Sequence, residues 1–339
     1  MQHLSALVLL LLTLTFPAQA QDKIDSVLTV QFPTVAEGRR ILTEGSEAGY
    51  FENLQLAEMR AKTGLTLEGG KLADARAKAR AKYADDVQAF SSDEAAMLRD
   101  VLRRLAPRIS QDFPLMARTP FSFVKTGVAV EGGVPHTRAG SIILSSAELG
   151  SMTRMYRWGW TTILDQMAAP LLIHEQTHVL QRLYPERFNQ LYTELLGFRR
   201  LDKLPDHPWL AERRVSNPDA LDLRWAYRMG EGSPWMVLEL LLSELEHPKL
   251  ADDSHYVAVK LLETDAGFRL MLNEKGLPMT QELKSLSGYQ ARFPNKTENY
   301  HPNEIAADLI SGWVTGMPEG NAKHPLRAKI GDWVRAHLQ

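Results

Sequence analysis

The sequence predicts an α+β fold that is predominantly helical, and three observations carry that expectation. Apolar residues recur at helical spacing through most of the first third of the chain. Short β-branched runs bounded by glycine and proline follow them. A long apolar stretch, Leu171 to Leu180, then carries two histidines four residues apart.

The chain opens on an apolar run, Leu4 to Phe16, followed by Pro17-Ala18-Gln19-Ala20. A run of that length ending in a small-x-small site reads as a secretory signal peptide, so residues 1–20 are expected to be cleaved near Ala20 and the mature chain to be periplasmic or secreted. The run is short of the roughly 18 to 20 apolar residues that span a bilayer, and no transmembrane segment is expected in the mature chain. Met1-Gln2-His3 departs from the usual pattern in lacking Lys or Arg.

Composition narrows the function. The 339 residues are 44% hydrophobic and 24% charged, with a net charge of −2, which describes an ordinary globular chain. Phosphate binding calls for a basic excess, so nucleic acid is not expected as a partner. The absence of cysteine excludes a disulfide, a thiol nucleophile, a cysteine-ligated metal and the acylated cysteine of a lipoprotein.

Residues 21–110 are expected to form a helical N-terminal region. Ser91-Ser92-Asp93-Glu94 offers a capping box, and Met97, Leu98, Val101, Leu102 and Leu105 follow at helical spacing. From Lys71 to Tyr83 alanine alternates with Lys and Arg, but Asp74, Asp85 and Asp86 dilute the charge, and the segment reads as a solvated helix face.

Residues 111–339 are expected to form the functional domain. Phe121 to Val130 and Ser141 to Ser145 read as strands, with Gly132-Gly133 between them. Ile142, Ile143 and Leu144 read as a plain core strand. Pro170 is expected in the first turn of the next helix.

That helix carries His174-Glu175-Gln176-Thr177-His178. Residues four apart share a helix face, so His174 and His178 can offer two imidazoles to one metal ion, with Glu175 beside it. Chance alone gives the pattern in roughly one chain of this length per hundred, and a buried helix with two histidines is the plain alternative. The apolar flank Leu171, Leu172, Ile173, Val179 and Leu180 would bury the pair, which is costly unless something binds it. The stretch resembles the signature of zincin metallopeptidases. The resemblance implies a zincin-like core with a small sheet, Zn2+ on His174 and His178, and Glu175 as general base. It also implies a sheet edge that holds an extended peptide by strand addition, a place that Gly140 to Ser145 would fill as readily as that of a core strand.

Pro185 limits this helix, and Gln181 and Tyr184 stand where the metzincin extension needs Gly and His, so a third ligand must come from elsewhere. The best candidate lies in Asn299 to Asp308. Pro302 suits a first helical turn, and Glu304 and Asp308 are again four apart. Glu304 would equally complement a helix N-terminus. The pair resembles that of gluzincins such as the thermolysin-like peptidases, which implies Glu304 as a zinc ligand and Asp308 as a carboxylate holding one histidine. Glu194, Glu239 and Glu244 lack such a partner. The distance from His178 to Glu304 is long for that family. The intervening residues, about 186–298, read as a mostly helical insertion, notably Glu186 to Arg200, Trp235 to Glu246 and Tyr256 to Leu272, with a turn-rich loop from Arg213 to Ala220. The combined pattern is similar to uncharacterised bacterial predicted zinc peptidases.

The expected function is an exported zinc-dependent hydrolase acting on a peptide or protein, cell-wall peptides included. A peptidase also needs a donor for the oxyanion. Tyr300 and His136 are candidates, although each reads more readily as a surface or satisfied core residue. The alternative is a catalytically silent, zinc-stabilised binding protein of the cell envelope, which a closed coordination sphere would distinguish.

Overall fold

The computed structural model describes residues 22–24, 27–44, 49–220, 222–229, 232–293, 299–316 and 325–339. The expected signal peptide lies outside the described residues. The fold is α+β and predominantly helical, as the sequence predicts. Among the described residues no helix is long and apolar enough to cross a membrane.

The first sheet is built from β1 (Asp22–Ile24), β2 (Leu28–Gln31), β3 (Val87–Gln88), β4 (Phe121–Thr126), β5 (His136–Arg138) and β6 (Ser141–Ser145), in the order β1-β2-β4-β6-β5 with β3 added on β4. Its central strands are parallel and largely buried on both faces, with apolar side chains on each face of β4 and β6. Period two divides the side chains. Phe121, Phe123, Ile142 and Leu144 join the core beneath the metal helix, while Val124 and Ile143 turn to the other face and pack with Leu42, Met59 and Tyr83 of the N-terminal helices. Each such side chain contributes roughly 1.5–3 kcal/mol on leaving water.

The expected boundary near residue 110 therefore falls inside one continuous fold, because β2 and β3 pair with β4. The capping box forms: the Ser91 side chain accepts from the Glu94 backbone amide and Glu94 accepts from that of Ser91. Glu94 also pairs with Lys125 on β4 at 2.8 Å, tying helix Ser92–Asp112 to the sheet.

The structure decides one open reading and changes one expectation. Ser141–Ser145 is an interior strand between β4 and β5, so it is not the edge that could receive a peptide. The edge is β5, and it is already bonded: the Thr137 amide donates to Asp219 Oδ1 at 2.9 Å, and its carbonyl accepts from Arg182 Nη2 at 3.2 Å. The metal helix, in turn, starts at Thr161, so Pro170 stands in its interior. Proline removes one ladder bond there, and Ser311 Oγ donates to the Pro170 carbonyl at 2.8 Å, clasping helix Pro302–Thr315 against the same spot.

The largest correction is the insertion. It folds as a second, antiparallel sheet of β7 (Phe198–Arg200), β8 (Arg214–Val215), β9 (Trp225–Arg228), β10 (Pro234–Leu241), β11 (Ser254–Thr264), β12 (Gly267–Leu270) and β13 (Thr280–Glu282). Only Pro185–Leu196 of the expected helices is helical, ending in a π turn, and the Trp235 and Tyr256 segments are strands. A short apolar run such as Met236 to Leu241 fits either period, and pairing with β11 decides it. The β11–β12 hairpin turns at Gly267, whose φ of 101° favours glycine.

Candidate metal centre

His174 and His178 lie one turn apart on helix Thr161–Leu183, which ends at Leu183 as Pro185 requires. Helix Pro302–Thr315 starts with proline in its first turn and has His301 as N-cap, its ring accepting from the Asn303 amide. The two helices pack so that Glu304 Oε2 stands 3.2 Å from Nε2 of each histidine, and the two Nε2 atoms are 3.0 Å apart. A tetrahedral ion with bonds of about 2.0–2.1 Å places its ligand atoms about 3.3 Å apart, so the donors are spaced for one cation. The three side chains form a buried group that could hold a metal ion.

Each donor is oriented from behind. Asp308 Oδ1 meets His174 Nδ1 at 2.9 Å, and Gln181 Oε1 meets His178 Nδ1 at 2.7 Å. An acceptor on Nδ1 places the proton there and leaves Nε2 free to bind a cation. Gln181 is itself held by donation to the Asn303 carbonyl at 2.9 Å. The second oxygen of Glu304 accepts from Asn217 Nδ2 at 2.7 Å.

Gln181 and Asn217 are functional residues that sequence reasoning missed. The signal for Gln181 was its place three residues after His178 on one helix face. Asn217 sits in the turn-rich loop, where its Oδ1 accepts from the Asp219 amide at 2.7 Å, but nothing local tells where that loop lands.

Metal-free, the cluster holds charge. Burial works against a charged His178, but Glu304 and Asp219 raise its pKa to about 9. His174 is also raised, since Asp308 and Glu304 outweigh burial. Glu304 goes the other way, its carboxyl held well below the usual range by both histidines despite burial. Metal binding must displace protons from such a site.

Glu175 points elsewhere. It is 4% exposed, its Oε2 finds no hydrogen-bond partner among the described residues, and burial followed by Asp219 pushes its pKa up to about 8. Together with His174 and Glu304 it lines a cavity of about 270 Å³. The N-terminal region supplies some of the wall through Lys62, and the loop around Asn217 and Asp219 supplies more.

Tyr300 and His136 are buried and line the same cavity. Tyr300 stacks on Tyr256 with ring centroids 4.4 Å apart. His136 Nδ1 lies 3.0 Å from the Val134 carbonyl, which can only accept, so Nδ1 carries the proton. Burial and Arg138 lower its pKa, keeping the ring neutral and Nε2 bare. His136 therefore offers the cavity an acceptor, and the oxyanion role, which needs a donor, does not fit it.

Comparison with protein families, with curated proteins and with solved structures gives no match to this chain.

Proposed function

We propose that the protein is an exported zinc-dependent hydrolase of gluzincin type that cleaves peptide bonds. The observation that carries the proposal is the convergence of His174, His178 and Glu304 beside a cavity also lined by Glu175, whose buried Oε2 has no hydrogen-bond partner among the described residues. A zinc ion held by those three residues would polarise the scissile carbonyl and lower the pKa of water to about 7. Asp308 and Gln181 fix the two imidazoles, and Asn217 fixes the carboxylate, so the donors need not reorganise.

Glu175 has the proton-transfer role. Its buried carboxylate lines the cavity beside His174 and Glu304, and in its charged form it would accept a proton from the attacking water and return it to the leaving amine. Tyr300 supplies the hydroxyl that would donate to the oxyanion. The competing reading, a silent site that ties two helices together, calls for a closed face in front of the donors. The cavity bordering His174, Glu175 and Glu304 speaks against it.

The test is cleavage of a mixed peptide library by the purified protein, with zinc content measured in parallel. Cleavage abolished by a chelator and restored by zinc supports the proposal. Bound zinc with no cleavage makes the silent binding protein the better reading, and a protein that takes up no metal overturns both.

A further inference from the structure

We infer that the cavity beside the metal cluster contains a recognition pocket for a protonated nitrogen of the substrate, with the Glu239 carboxylate and the bare Nε2 of His136 as its acceptors. Calling the ligand a substrate rests on the hydrolase reading above; the binding chemistry does not.

The first observation is a charge balance. Most carboxylates lining the cavity are matched within the protein. Glu131 pairs with Lys62 and Arg138, Asp219 with Arg182, and Glu304 with the two histidines. Glu175 belongs to the proposed chemistry. Glu239 remains: its Oε1 accepts from Ser254 Oγ at 2.6 Å, and no Lys or Arg among the described residues pairs with it. Burial raises its pKa against the Ser254 hydrogen bond and the charge of Lys62, which bonds elsewhere, and a bound cation would stabilise its charged form further.

A second, independent observation is His136. The residue is 4% exposed and lines the cavity, and its buried Nε2 has no hydrogen-bond partner among the described residues. A neutral ring protonated at Nδ1 presents a lone pair at Nε2, which asks for a donor. Leaving that nitrogen buried and unmet is costly, and a bound N–H would recover that cost.

The walls agree. Tyr256 stands opposite Glu239 in the β10–β11 register and stacks on Tyr300, so an aromatic pair flanks the carboxylate, and ring faces attract cations. Lys62 also lines the cavity, but its ammonium is spent on Tyr50 Oη, Glu131, Glu58 and the Ser216 carbonyl, with 1% of its side chain exposed. An ammonium or guanidinium meets every requirement, whether it comes from a basic side chain or from a free amino terminus. A carboxylate meets none.

Calorimetric titration of the full chain, zinc-loaded and chelated, separates the two sources. Three probes suffice: acetyl-Ala-Lys-Ala-amide, its norleucine analogue, and Ala-norleucine-Ala-amide with a free amino terminus. One of the two cationic probes should bind about tenfold or more tighter than the capped norleucine peptide, as charge-assisted hydrogen bonds imply. The isosteric Glu239→Gln change should bring that ratio close to one, and His136→Phe should reduce it to a lesser extent, with melting curves reporting on the fold. If capped norleucine binds as tightly as both cationic probes, or if Glu239→Gln melts normally and keeps the preference, the pocket is overturned. Cationic preference in a protein that cleaves nothing with zinc would uphold the pocket and sink the hydrolase reading, so the two fail separately.

Discussion

Two buried polar clusters lie on the same cavity and are resolved in opposite ways. In one, Lys62 and Arg138 meet Glu58 and Glu131, with Tyr50 and Tyr83 donating to Glu131. Two cations face two anions, and Lys62 and Arg138 hold the Glu131 pKa down to about 2 against burial. That cluster is closed. In the other, two imidazole nitrogens and a carboxylate oxygen converge to 3.0–3.2 Å from one another, a spacing that one cation would bridge. A buried cluster whose charges satisfy one another gives a scaffold; one whose ligand atoms are spaced for a cation gives a candidate binding site.

Four measurements can break or sharpen that contrast. The largest effect is expected from Glu175→Gln, which removes the proton carrier without touching the three donors. Turnover should fall by about a hundredfold to ten-thousandfold while bound zinc stays at the wild-type value and the protein still melts cooperatively. Unchanged cleavage would remove Glu175 from the chemistry.

Next comes the closed cluster. Lys62→Met leaves Glu58 and Glu131 buried beside a neutral side chain, and breaking a buried pair from one side costs about 3–5 kcal/mol. Denaturant melts should show that loss equally with and without chelator. A loss that depends on metal would mean that the two clusters are one.

Glu304→Ala should do the reverse. Its defect is in zinc content, read by atomic absorption, and in the stabilisation that zinc adds, which is about 2.7 kcal/mol at a free concentration one hundred times the Kd. If the variant binds zinc as the wild type does, another acid is the third donor.

The smallest effect is on pH dependence. In the folded, metal-free protein His178 keeps its proton up to about pH 9, while the unfolded chain releases it near 6.5. The stabilisation from that raised pKa is complete below about pH 6.5 and is lost as pH rises to 9. Glu175, raised from 4.5 to about 8, shifts stability in the same direction. The chelated protein should therefore lose a few degrees of melting temperature between pH 6.5 and 9. The zinc-loaded protein, with a cation in place of those protons, should lose less. Equal slopes would mean that zinc does not occupy the cluster.

How much of this was legible in the sequence follows from how local each feature is. His174 and His178, and Glu304 and Asp308, are pairs four apart on helices, and helical periodicity alone puts each pair on one face. The capping box at Ser91 and the stops at Pro185 and Pro302 are local as well. The second sheet was not legible, because Met236 to Leu241 has no period of its own and takes its conformation from β11. Glu239 was invisible for the same reason. It reaches the cavity through the register of β10 with β8 and β11, which no spacing rule reports. The tautomer of His136 depends on the Val134 carbonyl two residues away, a contact that only the turn leading into β5 creates.

The bonded rim at β5 has one more consequence. A sheet that ends in free amides and carbonyls is a template on which another copy of the chain can pair, and concentrated protein tends to grow along such rims into fibres. Here Asp219 and Arg182 occupy the outward groups of Thr137, so a neighbouring strand finds nothing to bond at that residue. Cutting this clasp with Asp219→Ala would free the rim and should make the protein aggregate more readily at high concentration, measured by light scattering, even where the fold itself survives.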